Sequence, residues 1–168
     1  MRFPHLLWVC ECVRVLEIRA LLREMSASKR PHVIVGDFNA ISRGDRHTLI
    51  HGPWWVRARV MLQGGVTPCW SLNRLASAGY LDCFRTLNPG EDGYTVPAWR
   101  PQVRIDYLFA SAELGGTLRS AKTQPSKGAG REVRRTTAEL LGITPARRLC
   151  GEASDHLAVW SDFEWPTA

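Results

Sequence analysis

Asp106 stands inside the apolar run Val103-Arg104-Ile105-Asp106-Tyr107-Leu108-Phe109-Ala110, and a carboxylate at the centre of such a run constrains everything that packs around it. The run reads as a strand buried on both faces. An ionised carboxylate there is costly unless a cation or a hydrogen-bond donor meets it. Two partners are available. Arg104 lies two residues away and would merely tie two strands together. His156, far along the chain, would have its tautomer fixed by the carboxylate. The His156 pairing is the one we expect.

A second carboxylate closes a second run. Pro31-His32-Val33-Ile34-Val35-Gly36 is apolar and stops at a glycine and an aspartate, as a buried strand does, which puts Asp37 at a strand's C-terminal end. Asp37 and Asn39 are two apart, so on extended backbone their side chains point the same way. A carboxylate can hold or activate water, and an amide can donate to a phosphate oxygen. Asp-Phe-Asn taken alone also suits a turn. Asp155-His156 precedes a strand over Ala158–Trp165, so its two side chains diverge towards different partners: a metal for Asp155, a phosphate or water for His156.

Around these segments the chain reads as a single domain over 1–168 with no internal repeat. Val13, Leu16, Ala20, Leu21 and Met25 recur at helical spacing, which predicts an amphipathic helix over 13–25. Residues 41–70 read as a long loop holding one short helix. Ser71–Gly79 reads as a helix ending at glycine, Tyr80–Leu87 as the entry to a loop through Asn88-Pro89-Gly90, and Thr95-Val96 as a strand.

The net charge is +6, and only three of the 22 basic residues are lysines, so arginine carries most of the positive charge. A guanidinium suits phosphate because its planar fork donates two parallel hydrogen bonds. Between Thr117 and Cys150 eight basic residues face two acidic ones, a surplus equal to the whole net charge. Such a segment is either a solvated insertion or a patch that steers a polyanion, nucleic acid among them, towards the site. Five cysteines without a CxxC pair argue against a zinc ribbon or a closed disulfide framework, and a reducing cytoplasm is the expected location. No stretch approaches the ~20 apolar residues of a membrane span.

Three ordered segments carry a resemblance. Val35-Gly36-Asp37-Phe38-Asn39-Ala40, Arg104-Ile105-Asp106-Tyr107-Leu108-Phe109 and Ala153-Ser154-Asp155-His156-Leu157-Ala158-Val159 resemble the C-terminal signatures of the endonuclease/exonuclease/phosphatase superfamily. Gly79–Arg85 with Gly93-Tyr94-Thr95, and His5-Leu6 followed by Arg14 and Glu17, agree with it. The resemblance implies an α/β (α+β) fold of the DNase I type, a four-layered sandwich of two mixed sheets flanked by helices. It also implies that Asp37 activates the attacking water or binds metal and that Asn39 orients the phosphate. Asp155 would be a metal ligand, His156 the essential histidine, Asp106 its orienting partner, and His5 a second phosphate-facing histidine. Mg2+ is the implied cofactor, with Mn2+ as the alternative. The family pattern also has an asparagine-bearing strand and a metal-binding glutamate before the point where this sequence starts. No residue here matches either, and Glu11 and Glu17 are not assigned to metal. The chain is therefore expected to be the C-terminal portion of such a domain, with one sheet partly uncovered.

The expected activity is that of a metal-dependent phosphoester hydrolase, with a phosphodiesterase or nuclease favoured by the basic stretch. A lipid or small-molecule phosphoesterase of the same fold, and a non-catalytic remnant that binds anions, are the alternatives.

Overall fold

The computed structural model describes residues 6–27, 30–45, 54, 69–98, 100–124 and 154–165. His5, most of the 41–70 loop and the basic residues beyond 124 lie outside them. Helix α1 spans Leu6–Ser26, strand β1 Val33–Asp37, helix α2 Trp70–Ser77, strand β2 Leu81–Asp82 and helix α3 Cys83–Leu87. Strand β3 is Asp106–Ala110, a 3₁₀ turn runs over Ala112–Thr117, and strands β4 and β5 are Leu118–Thr123 and Val159–Phe163.

Two antiparallel sheets result, one ordered β1-β3-β2 and the other β4-β5. β3 is the hinge of the packing because side chains alternate along a strand. Tyr107 and Phe109 face a core of Ile18, Phe38, Ala40, Leu72 and Leu75, which α1 and α2 cover. Leu108 and Ala110 face a second core of Cys83, Leu114, Leu118, Ala121 and Phe163, built against the β4-β5 sheet. Helices outside and sheets within give the α/β architecture read from the sequence.

Several elements depart from that reading. Asp106 is the first residue of β3, not its centre, because the amides of Ile105 and Asp106 turn to the Thr95 hydroxyl oxygen, 3.2 and 3.4 Å away. Thr95-Val96 forms no strand but a single bridge, Val96 to Val103. β1 is half-buried on one face and exposed on the other, with Val33 45% and Val35 56% exposed, because among the described residues it lies at the sheet edge and β4-β5 packs behind β3. Tyr80–Leu87 is not loop: Asp82 accepts from the Arg85 amide at 3.1 Å and starts α3 as its N-cap. In α1, Val13 and Leu16 face outward, and Glu11 and Ile18 are buried instead. The inward polar residues are tolerated because Glu11 and Arg14 find partners there.

Candidate active site

Antiparallel register sets the first contact. Asp37 at the end of β1 pairs across the sheet with Asp106 at the start of β3. Two like charges opposite one another are destabilising, so this position demands a cation or a shared proton. His156 fills it. Its Nδ1 lies 2.9 Å from Asp106 Oδ2 and 3.2 Å from Oδ1. Asp106 thus turns to His156, and Arg104 goes elsewhere.

The segment carrying His156 is docked by backbone bonds rather than by its own strand. The Leu157 amide donates to Thr95 O at 2.7 Å, and the Ala98 amide donates to Asp155 O at 2.7 Å. The His156 amide also donates to Ser154 Oγ at 3.0 Å. Thr95 therefore serves both sides of the site, anchoring the His156 segment through its carbonyl and the start of β3 through its hydroxyl. Partial burial alone would lower the imidazole's proton affinity. The hydrogen bond and charge of Asp106, with the charges of Asp37 and Asp155, override it and hold the His156 pKa above its usual value. Nε2 lies 3.9 Å from an Asp155 carboxylate oxygen.

Asn39 does not lie on extended backbone as the sequence suggested. Its φ is +46°, in the left-handed region that asparagine tolerates better than most residues. In this turn the Asn39 amide donates to Asp37 Oδ1 at 2.7 Å, and Nδ2 donates to Oδ2 at 2.9 Å. Phe38 between them is buried, with edge-on contacts to Tyr107 and Phe109 at 5.7 and 5.5 Å. The apolar residue is thereby the anchor, and both polar neighbours face solvent. The turn-forming and site-forming readings of Asp-Phe-Asn describe the same geometry.

Sequence reasoning missed the ionic frame behind this turn. Arg104 is 1% exposed and bridges two carboxylates, donating to Asp45 from Nε at 2.9 Å and to Asp82 from Nη1 at 2.8 Å. Its guanidinium lies 4.4 Å from the Tyr107 ring centroid. The Tyr107 hydroxyl accepts from the Ser42 amide at 3.0 Å and lies 3.1 Å from Asp45 Oδ2. Burial, and next the Asp45 charge, hold that phenol well above its ordinary pKa. Arg85 also binds Asp45, at 2.6 Å, and caps the carbonyls of Asn88, Pro89 and Glu91. The available signal was Asp45 itself, an acidic residue in a loop rich in basic ones.

Part of the basic stretch read from residue 117 is strand β4, where Arg119 pairs with Glu164 at 2.5 Å. An open groove of about 530 Å³ lies apart from these residues, between α1 and α2, lined by Leu16, Arg19, Trp70 and Arg74.

A metal would find oxygen donors here, but no cage. Among the described residues no three His, Cys, Asp or Glu side chains group so as to hold one. Magnesium does not need such a group, since it keeps several waters and takes one or two carboxylates together with substrate phosphate oxygens. Asp37 and Asp155 are both exposed and both act on His156, so the donor set fits magnesium in that mode.

The family model for the endonuclease/exonuclease/phosphatase family matches residues 13–156, from α1 through His156. The chain belongs to that family. Among solved structures it is similar to a variant of the 3′ phosphatase NExo from Neisseria bound to product DNA hairpin, with a TM-score of 0.57 at 17% identity. That match covers 90% of this chain and 52% of the other, so the chain spans about half the length of its structural relative. At this identity the likeness establishes the DNase I-like fold alone. No curated protein matches the chain by sequence.

Proposed function

We propose that this member of the family is a magnesium-dependent phosphodiesterase acting on nucleic acid. The observation that carries the reading is His156 held by Asp106 at 2.9 Å beside the Asp37–Asn39 turn. With Nδ1 committed to Asp106, the other ring nitrogen carries the chemistry, and in the protonated ring it donates a hydrogen bond to a phosphoryl oxygen. Donors aimed at an oxygen where charge develops stabilise the transition state more than the ground state. Asn39 has a second side-chain N–H beyond the one given to Asp37, and it is the donor assigned to orient the phosphate. Asp37 takes the proton of the attacking water or holds that water in place. Asp155 and Asp37 are the residues that would hold magnesium, which when bound neutralises phosphoryl oxygens and lowers the pKa of water. His5 keeps its proposed place as a second histidine near the leaving group.

Nucleic acid is favoured over a lipid or small phosphoester by the arginine-rich composition and by the basic stretch over 117–150. The Neisseria relative's DNA hairpin supports the same substrate class. A reducing cytoplasm is the proposed location, supported by the free thiols Cys12, Cys69 and Cys83. Among the described residues no helix is long and apolar enough to cross a membrane.

The test is turnover of plasmid DNA, a 3′-phosphorylated DNA hairpin and a generic phosphodiester, with magnesium or with chelator, beside an Asp37→Ala control. Magnesium-dependent cleavage of DNA above that control is the expected result. Cleavage of the generic ester alone would shift the substrate to a small molecule. Turnover indistinguishable from the control on all three substrates would leave a non-catalytic anion binder.

A further inference from the structure

We propose that Glu11 and Arg14 of α1 form a positioning relay that holds the Asn39 turn in its site conformation. The proposal rests on the assignment of Asn39 and Asp37 to the site. Neither Glu11 nor Arg14 touches the reacting groups, so both are positioning residues.

The relay starts at a helix end without a cap of its own. Cys69, the N-cap of α2, makes no side-chain cap bond. The orphan amides of a helix N-terminus need an acceptor, and an anion is favoured there. Glu11 supplies it from α1: Oε1 accepts from the Ser71 amide and from the Ser71 hydroxyl, each at 2.8 Å. Glu11 is 1% exposed, and a carboxylate so buried must be paired. Its second oxygen, Oε2, accepts from Arg14 Nη1 at 2.7 Å. The same Nη1 then donates to the Asn39 carbonyl oxygen at 3.2 Å.

That carbonyl belongs to the one described residue other than glycine with a positive φ. A left-handed residue is less stable than a right-handed one and persists where its surroundings over-determine it. Asn39 is held on one side by its bonds to Asp37 and on the other by Arg14. Glu11 fixes where the guanidinium sits, and α2 fixes where Glu11 sits. Capping alone would need Glu11 and Ser71; the bond from Arg14 to Asn39 is what extends the network to the site.

The test uses the full chain and two mild variants. Glu11→Gln keeps an acceptor for the Ser71 amide but replaces the oxygen that binds Arg14 with a donor, and Arg14→Gln removes the guanidinium. The first readout is the Asn39 side-chain amide in 15N spectra, assigned by its loss in Asn39→Asp. In both variants we expect its hydrogen exchange to accelerate about tenfold as local protection is lost. The second readout is turnover of the phosphodiester, where kcat should fall about ten- to hundredfold with KM nearly unchanged, as for a small misplacement of a catalytic group. Arg14→Lys, which restores a cation, should recover part of both effects. A lower melting temperature with the Asn39 amide unmoved would make Glu11 a helix cap only and overturn the relay. If wild-type protein shows no turnover, the phosphodiesterase reading fails, and the amide readout still decides the relay.

Discussion

Asp106 Oδ2 and His156 Nδ1 meet at 2.9 Å across 50 residues of sequence, at the point where antiparallel register sets Asp106 opposite Asp37. The histidine is thereby a structural answer to a like-charge pair, independent of any role in chemistry. A ring whose proton affinity is raised by surrounding carboxylates suits a hydrogen bond to an anionic ester.

Replacing Asp106 by asparagine tests that pairing without emptying the site. The amide is the same size, but it no longer requires N–H at Nδ1 or favours the imidazolium. Turnover should fall on the order of 10²- to 10⁴-fold, the range expected for loss of a positioned acid–base group, with little change in KM. Wild-type turnover in Asp106→Asn would remove the pair from the mechanism.

The same contact sets a pH dependence of stability in metal-free buffer. Asp106, Asp37 and Asp155 hold the folded His156 pKa above its unfolded value despite partial burial. The native state therefore binds the proton more tightly than the unfolded state. Its contribution is fully present below the unfolded pKa of about 6.5 and is lost as pH rises through the folded value. Urea midpoints measured from pH 5 to 9 should show a decline across that window in wild type. The decline should be missing in His156→Gln; an identical profile in the two proteins would mean another group titrates.

How much of this could be read from the sequence follows from which residues declare their need for a partner. Asp106 required a partner for reasons of burial alone, and the choice between Arg104 and His156 came down to chemistry, so that contact was legible. The strand ending at Asp37 was legible from its apolar run, whereas the burial of Phe38 as the anchor of the turn emerged only from the fold. The Arg104–Asp45–Asp82 bridge was not legible, because Asp45 sits in an irregular segment and nothing in the sequence marks Arg104 as enclosed. The face of α1 was misread for a related reason. Hydrophobic periodicity ranks side chains by transfer energy, and Glu11 reverses its rank only once Ser71 and Arg14 are brought to it.

Arg104 is expected to be the costliest single side chain to remove. It is enclosed, and Asp45 is fully buried beside it. Arg104→Met would leave Asp45 paired only with Arg85 and Asp82 without its cation, at a cost of about 3–5 kcal/mol, as for a buried ion pair broken on one side. Arg104→Lys should recover only part, because one ammonium cannot reproduce the forked bonds to two carboxylates. Urea denaturation gives both numbers. A loss below about 1 kcal/mol in Arg104→Met, the range of surface substitutions and exposed ion pairs, would mean the bridge is hydrated in solution.

Cysteine reactivity reports whether the two sheets stay packed on one another. Cys83 is 0% exposed among Ala110, Leu114, Leu118 and Ala121, in the core between β3 and β4. Burial pushes its thiol up to about 11, with the Asp82 charge acting in the same direction. A thiol with that pKa is almost wholly protonated at about pH 8, and only the thiolate attacks. Cys12 is exposed on α1. Iodoacetamide with peptide mapping should therefore label Cys12 first, and Cys83 only as the chain unfolds in urea. The urea midpoint for Cys83 labelling should coincide with that of the far-ultraviolet signal, because its shield is the sheet packing itself. Labelling of Cys83 at the Cys12 rate in native buffer would show that β4-β5 opens from β3. The bonds from the Leu157 amide to Thr95 O and from the Ala98 amide to Asp155 O anchor the His156 segment independently of that packing.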